Sequence, residues 1–242
     1  MKFRIKLDTL TFLIIINSII FLLALLVQTK GFDDNFFFLF GGEVTSRIFK
    51  GDLWILLTSN FFHLYLPHFL LNMYALIKIG ELVEYYYGGK KLFVTYIIGG
   101  IGGALLTYLT SLPTFLALGL SYNSFSLGAS GSIFALLGLL VGGTLKRRRY
   151  GADLPFKTSD LLIYIIPVIL ISFIPGLNIN IWSHIGGLIA GVILGYIFDH
   201  TIGNVDTNFQ KILTNISYYL SLILFFLSYV FIVVNVYIAF SS

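Results

Sequence analysis

Residues 128–149 read GASGSIFALLGLLVGGTLKRRR. From Ser130 to Leu145 the stretch carries no charge, and Lys146, Arg147, Arg148 and Arg149 then follow without a break. An apolar run closed by a basic cluster is how a transmembrane helix ends on the cytoplasmic side. The run is short. About 16 residues at ~1.5 Å each make roughly 24 Å, against a hydrocarbon layer of about 30 Å. With its inner end at the basic cluster, its outer end stops below the outer surface. Irregular backbone at that depth is tolerated only where it is buried in protein or lines a wet cavity. The preceding segment, Gly119–Gly128, is therefore expected to dip into the protein from outside and deliver Ser130 at the start of a submerged helix.

The rest of the chain has the same character. Of 242 residues, 57% are hydrophobic and 11% charged, with a mean hydropathy of +0.93. Soluble domains carry about 25% charged residues. An ordinary soluble domain, a disordered chain and a nucleic-acid-binding module are excluded. Cysteine is absent, which removes disulfides, thiolate metal sites and a cysteine nucleophile. Apolar runs lie at 10–27, 68–87, 92–112, 130–145, 159–174, 181–198 and 214–240. The first exceeds the roughly 7–15 residues of a signal-peptide core and lacks a small-x-small cleavage site, so it reads as a retained span. The expected fold class is an all-α polytopic membrane protein. Its expected organisation is a cytoplasmic N-terminus at 1–9, a six-span core at 10–199, a cytoplasmic linker at 200–213, and a seventh helix with a short outer tail at 214–242.

Basic residues orient the spans. With the N-terminus inside, Lys2, Arg4, Lys6, Lys90, Lys91, Lys146, Arg147, Arg148, Arg149, Lys157 and Lys211 collect on the cytoplasmic side. The outer side holds Lys30, Arg47 and Lys50, and Lys78 lies within span 2. The positive-inside rule selects this arrangement, with the C-terminus outside. The pI of about 9.1 is thus a topology signal. The expected location is the cell membrane, although no targeting signal decides the compartment.

Several polar residues fall at one depth. His63 precedes span 2, His68 begins it, and Asn72 follows one turn later on the same face. Ser130 begins span 4, and His184 lies one turn into span 6. His200, beside Asp199 on the inner side, reads as a solvated loop residue. Taken singly, a serine among glycines is most simply a packing contact, and a lone histidine a satisfied interhelical hydrogen bond. Together they point elsewhere, because ionisable groups inside spans are functional candidates. A serine needs a base to become nucleophilic, and imidazole titrates near working pH. Gly128 and Gly131 permit a tight turn and close approach of substrate. The helix start offers unpaired N–H groups for an oxyanion, and His68 and Asn72 add side-chain donors.

Small residues recur at Gly187, Gly191 and Gly195 on span 6, and at Gly131, Ala135 and Gly138 on span 4. Packing through these faces brings His184 toward Ser130, with Phe134 over the imidazole. No Asp or Glu lies in the outer half of any assigned span, so a Ser-His dyad remains rather than a triad. Zinc-protease chemistry is disfavoured because HExxH is absent, and Gly99–Gly103 lacks the Lys-Ser/Thr of a phosphate loop.

At this point the sequence resembles the rhomboid family of intramembrane serine proteases. The resemblance rests on His63-Leu-Tyr-Leu-Pro-His68-Phe-Leu-Leu-Asn72, Gly80-Glu-Leu-Val-Glu84 with Gly88 and Gly89, Gly128-Ala-Ser130-Gly131, and His184-Ile-Gly186-Gly187, in the family's order. It covers roughly Leu53 to Asp199. It implies a six-helix bundle with one extra C-terminal helix, Ser130 as nucleophile and His184 as general base and acid. It also implies an oxyanion site of His68, Asn72 and the backbone N–H groups of Ala129 and Ser130, with Gly128 beside it. Phe134, Gly131 and Gly187 would support the dyad, and Glu84 would be structural. The implied substrates are transmembrane segments of other proteins within the bilayer, cut without a metal or cofactor. Two positions depart from the family: Ile55 follows Trp54 where an arginine is common, and Ser183 precedes the histidine where a small apolar residue is common. The competing readings are a catalytically silent rhomboid-like client-binding protein, marked by loss of the Ser or His, and a transporter, marked by internal repeats with broken helices. Neither mark is present. The substrate and the oligomeric state are not readable.

Overall fold

The computed structural model describes residues 8–29, 41–118, 125–150, 159, 161–163, 166, 179–199 and 206–241. Most of the run expected as span 5, part of the dipping segment (119–124), His200 and the basic residues of the N-terminus lie outside them. The long helices are α1 (Thr9–Thr29), α4 (Leu66–Tyr87), α5 (Gly89–Leu118), α6 (Ser130–Tyr150), α7 (Ile181–Ile197) and α8 (Asn208–Ser241). Between α1 and α4 lie a two-residue strand β1 (Glu43–Val44), short helices α2 (Thr45–Phe49) and α3 (Ile55–Thr58), and a 3-10 turn at Ser59–Phe61. Strand β2 (Phe125–Ser126) pairs antiparallel with β1, Glu43 opposite Ser126 and Val44 opposite Phe125. The expected spans match these helices closely. Three ends run further: α5 reaches Leu118 rather than 112, α6 reaches Tyr150 rather than 145, and α8 starts at Asn208 rather than 214, where the Thr207 hydroxyl accepts the Gln210 N–H at 3.2 Å and caps the helix earlier.

Burial is arranged as lipid demands. Helices α1, α5 and α8 are long and apolar enough to cross a membrane, while α6 and α7 are apolar but shorter. Leu22, Leu23 and Leu26 of α1 and Phe226 and Val233 of α8 are exposed, as hydrocarbon-facing side chains are. On α6, by contrast, Ile133 through Leu137, Leu139 and Leu140 are all buried, so this helix forms the centre. The protein is an all-α membrane protein built around α6.

Helices α6 and α7 meet backbone to backbone. A methyl group added at Gly187, Gly191 or Gly195 would collide with the carbonyl oxygens of Gly131, Ala135 and Leu139 respectively. Additions at Gly138 and Gly142 would collide with those of Leu188 and Val192. The four-residue spacing on both helices makes one continuous seam. Polar contacts fasten the periphery. Glu84 accepts the N–H groups of Thr9 (3.0 Å) and Leu10 (3.4 Å), capping the start of α1, which gives it a structural role here. At the start of α5 Lys91, fully buried, donates to Asp206 at 2.8 Å and to the Asp199 carbonyl at 2.6 Å.

Helix α8 covers the position of one departure from the resemblance. Ile55 is fully buried with Ile48, Trp54 and Ile232 of α8 in a small apolar cluster, where an arginine would have no solvent. A guanidinium still reaches Trp54, from elsewhere: Arg47 lies 5.1 Å over the ring and bonds Asp52 at 2.8 Å.

Candidate active site

The glycine seam places Ser130, the first residue of α6, beside His184, one turn into α7. His184 Nε2 lies 2.9 Å from Ser130 Oγ. Phe134 stacks on the imidazole with ring centroids 4.4 Å apart and planes 10° from parallel. The Nδ1 atom of His184 has no hydrogen-bond partner among the described residues. For Nε2 to accept the serine proton, Nδ1 must carry the other proton, and packing rather than a carboxylate holds the ring. Upstream, the Asn180 side chain accepts the Ser183 N–H at 3.2 Å and caps α7, fixing where the helix starts and hence where His184 sits.

The oxyanion candidates converge on the same point from α4. His68 and Asn72 are one turn apart, and the Asn72 amide donates to the His68 carbonyl at 3.0 Å. Gly128 is held at φ +117°, and an added Cβ would lie 2.6 Å from His68 Cε1 and 3.7 Å from Asn72 Nδ2. Both its backbone conformation and the crowding of His68 therefore require glycine there. The N–H of Gly128 is donated to the Ser59 carbonyl at 2.9 Å.

One expected donor is engaged elsewhere. The Ala129 N–H points to Nε2 of His63 at 3.3 Å, so it is committed to holding the loop. Ser130 opens α6, in the first turn, where backbone N–H groups have no intrahelical acceptor. His63 thus has a place that sequence reading left open. It is fully buried and packs edge-on against His68 (centroids 5.2 Å) and Phe69 (5.5 Å). Burial, and then the neighbouring His68, hold its imidazole below the ordinary histidine range, which favours the neutral ring, the form that can accept the Ala129 N–H at Nε2. The only advance signal was its position, five residues before His68.

Ser132, two residues beyond Ser130, lies 3.5 Å from Asn60 Oδ1, and the Asn60 amide donates to the Leu56 carbonyl at 3.0 Å. The segment before α4 therefore holds the loop at Gly128 and Ala129 and helix α6 at Ser132, next to Ser130 on both sides.

Comparison with known proteins places the chain in a family. The Rhomboid domain model matches residues 50–201. RHOMBOID-like protein 1 of Arabidopsis thaliana is 33% identical over 157 residues, covering 64% of this chain and 37% of that protein. Rhomboid protease GluP of Bacillus subtilis is 31% identical over 184 residues, covering 76% of this chain and 33% of its own length. Rhomboid-like protease 3 of Toxoplasma gondii is 26% identical over 200 residues, covering 81% and 72%. The chain spans about a third of the length of the first two of these relatives. Most of the helical core described above lies within the matched domain, and the chain belongs to the rhomboid family.

Proposed function

We propose that this protein is an intramembrane serine endopeptidase that hydrolyses peptide bonds in or near transmembrane segments of other membrane proteins. The observation that carries the proposal is the 2.9 Å approach of His184 Nε2 to Ser130 Oγ under a stacked Phe134. In the reaction His184 takes the serine proton as Oγ attacks the scissile carbonyl. The negative charge on that oxygen is met by the Ser130 N–H, His68 and Asn72. His184 then returns the proton to the leaving amine, and water hydrolyses the acyl-enzyme by the same base. Substrates reach the site from the bilayer, and no metal or cofactor is required by these steps. The proposed setting is the cell membrane, N-terminus inside and C-terminus outside, with the site opening to the outer face.

The test uses the purified full chain and a panel of single-span substrates. Ser130→Ala and His184→Ala should each abolish cleavage, and the double variant should be scarcely worse, because the two residues act as one unit. Activity should fall as pH drops and His184 takes a proton. A fluorophosphonate should label Ser130, and much less when His184 is replaced. A folded Ser130→Ala protein retaining full proteolysis, or an adduct mapped to another residue, overturns the assignment.

A further inference from the structure

Glu43 is the acid that neither the dyad nor the sequence reading used. It is 1% exposed, and neither carboxyl oxygen completes a hydrogen bond in the described conformation. It stands on β1 directly opposite Ser126 of β2, so the two side chains share one face of the ladder. Ser126 Oγ accepts from the Asn180 amide at 2.8 Å, and the same amide donates to Thr107 Oγ1 at 2.9 Å. Asn180 is the residue that caps α7 one turn before His184. Strand β2 in turn runs through Leu127 and Gly128 into Ser130. The face of Glu43 thus touches both routes by which the dyad is positioned.

We propose that Glu43 is a positioning residue: as a neutral acid it braces Ser126 and, through Asn180, holds the loop before Ser130 and the start of the helix bearing His184. This rests on the proteolytic reading above. A neutral carboxyl can donate one hydrogen bond, and the Ser126 hydroxyl is the acceptor that faces it. An ionised carboxyl here would be a buried charge needing a cation. Among the described residues, the elements packed on β1 offer none aimed at it. On α2, Arg47 is turned to Asp52 and the Trp54 ring; α3 and β2 carry no charge. Beyond them on α5, Ser111 is bonded to Thr45 at 2.9 Å and Thr107 to the Asn180 amide at 2.9 Å, and neither side chain carries a charge. Burial accordingly raises the Glu43 acid well above the carboxylate range, with the Ser126 hydroxyl opposing in part.

The sign of the linkage follows. The folded protein keeps this proton while the unfolded chain loses it above the ordinary glutamate range, so the stabilisation is full at low pH and declines as pH rises. The experiment compares wild type, Glu43→Gln and Glu43→Ala as full chains in detergent, reading Tm from about pH 5 to 8 and the rate of fluorophosphonate labelling at Ser130. The Tm advantage of Glu43→Gln over wild type should widen as pH rises. Glu43→Gln should label at the wild-type rate at neutral pH, while folded Glu43→Ala should label about tenfold to a hundredfold more slowly, the cost of a slightly misplaced reacting group. If Glu43→Ala does not fold, the pH dependence of the Glu43→Gln difference decides alone. A pH-independent Tm difference, or wild-type labelling in folded Glu43→Ala, overturns the role of Glu43 and leaves the dyad standing. Absence of labelling in wild type overturns the proteolytic reading and Glu43's role with it.

Discussion

Around Ser130, consecutive backbone groups have separate tasks. The N–H groups of Gly128 and Ala129 are spent on Ser59 and His63, which locks the loop. This leaves Ser130, His68 and Asn72 as the proposed oxyanion donors. Removing one oxyanion donor from a soluble serine protease costs roughly 2.7–4 kcal/mol. Here two others remain, so Asn72→Ala should lower turnover about tenfold to a hundredfold, chiefly in kcat rather than KM. Steady-state cleavage of a single-span substrate measures this. Unchanged turnover in Asn72→Ala and in its combination with His68→Ala would remove both residues from the mechanism.

Among the elements, the α6–α7 seam carries the proposed dyad. Because backbone carbonyls already occupy the space above Gly187, Gly191 and Gly195, a side chain there must force the helices apart rather than find a new rotamer. Gly191→Val should lower Tm and cost about 1–3 kcal/mol or more, as overpacking does. It should also slow Ser130 labelling in whatever fraction stays folded. Ile193 is on the same helix but exposed to lipid, so Ile193→Leu should change neither readout. Equal behaviour of the two variants would show that the seam does not hold the dyad.

For the whole molecule, the charge asymmetry sets a topology that labelling can check. The native chain has no cysteine, so Arg148→Cys gives a single reporter. It should resist impermeant thiol reagents in intact cells and react after the membrane is opened. Labelling from outside would reverse the proposed orientation and move the active-site opening to the other face. At this scale α8 joins the fold through Phe225, whose ring packs against Phe12, Phe61 and Phe93, and through Ile232 beside Trp54. It thereby backs the segment that grips α6.

The sequence alone determined the membrane class, the described long helices to within about six residues at either end, and the choice of Ser130, His184, His68 and Asn72 as the residues to look for together. These follow from local hydropathy, charge bias and helical spacing, which act over one or two turns. The seam between α6 and α7 was also visible, because its small residues repeat on each helix separately. Only tertiary structure decided the partners. That His63 takes the Ala129 N–H, that Arg47 lies over Trp54 while Ile55 is sealed beneath α8, and that Glu43 stands opposite Ser126 depends on segments between seven and 177 positions apart meeting in space. Such pairings have no periodicity of their own. They are set by how the helices pack, and a short strand pair of two residues each leaves no pattern long enough to read.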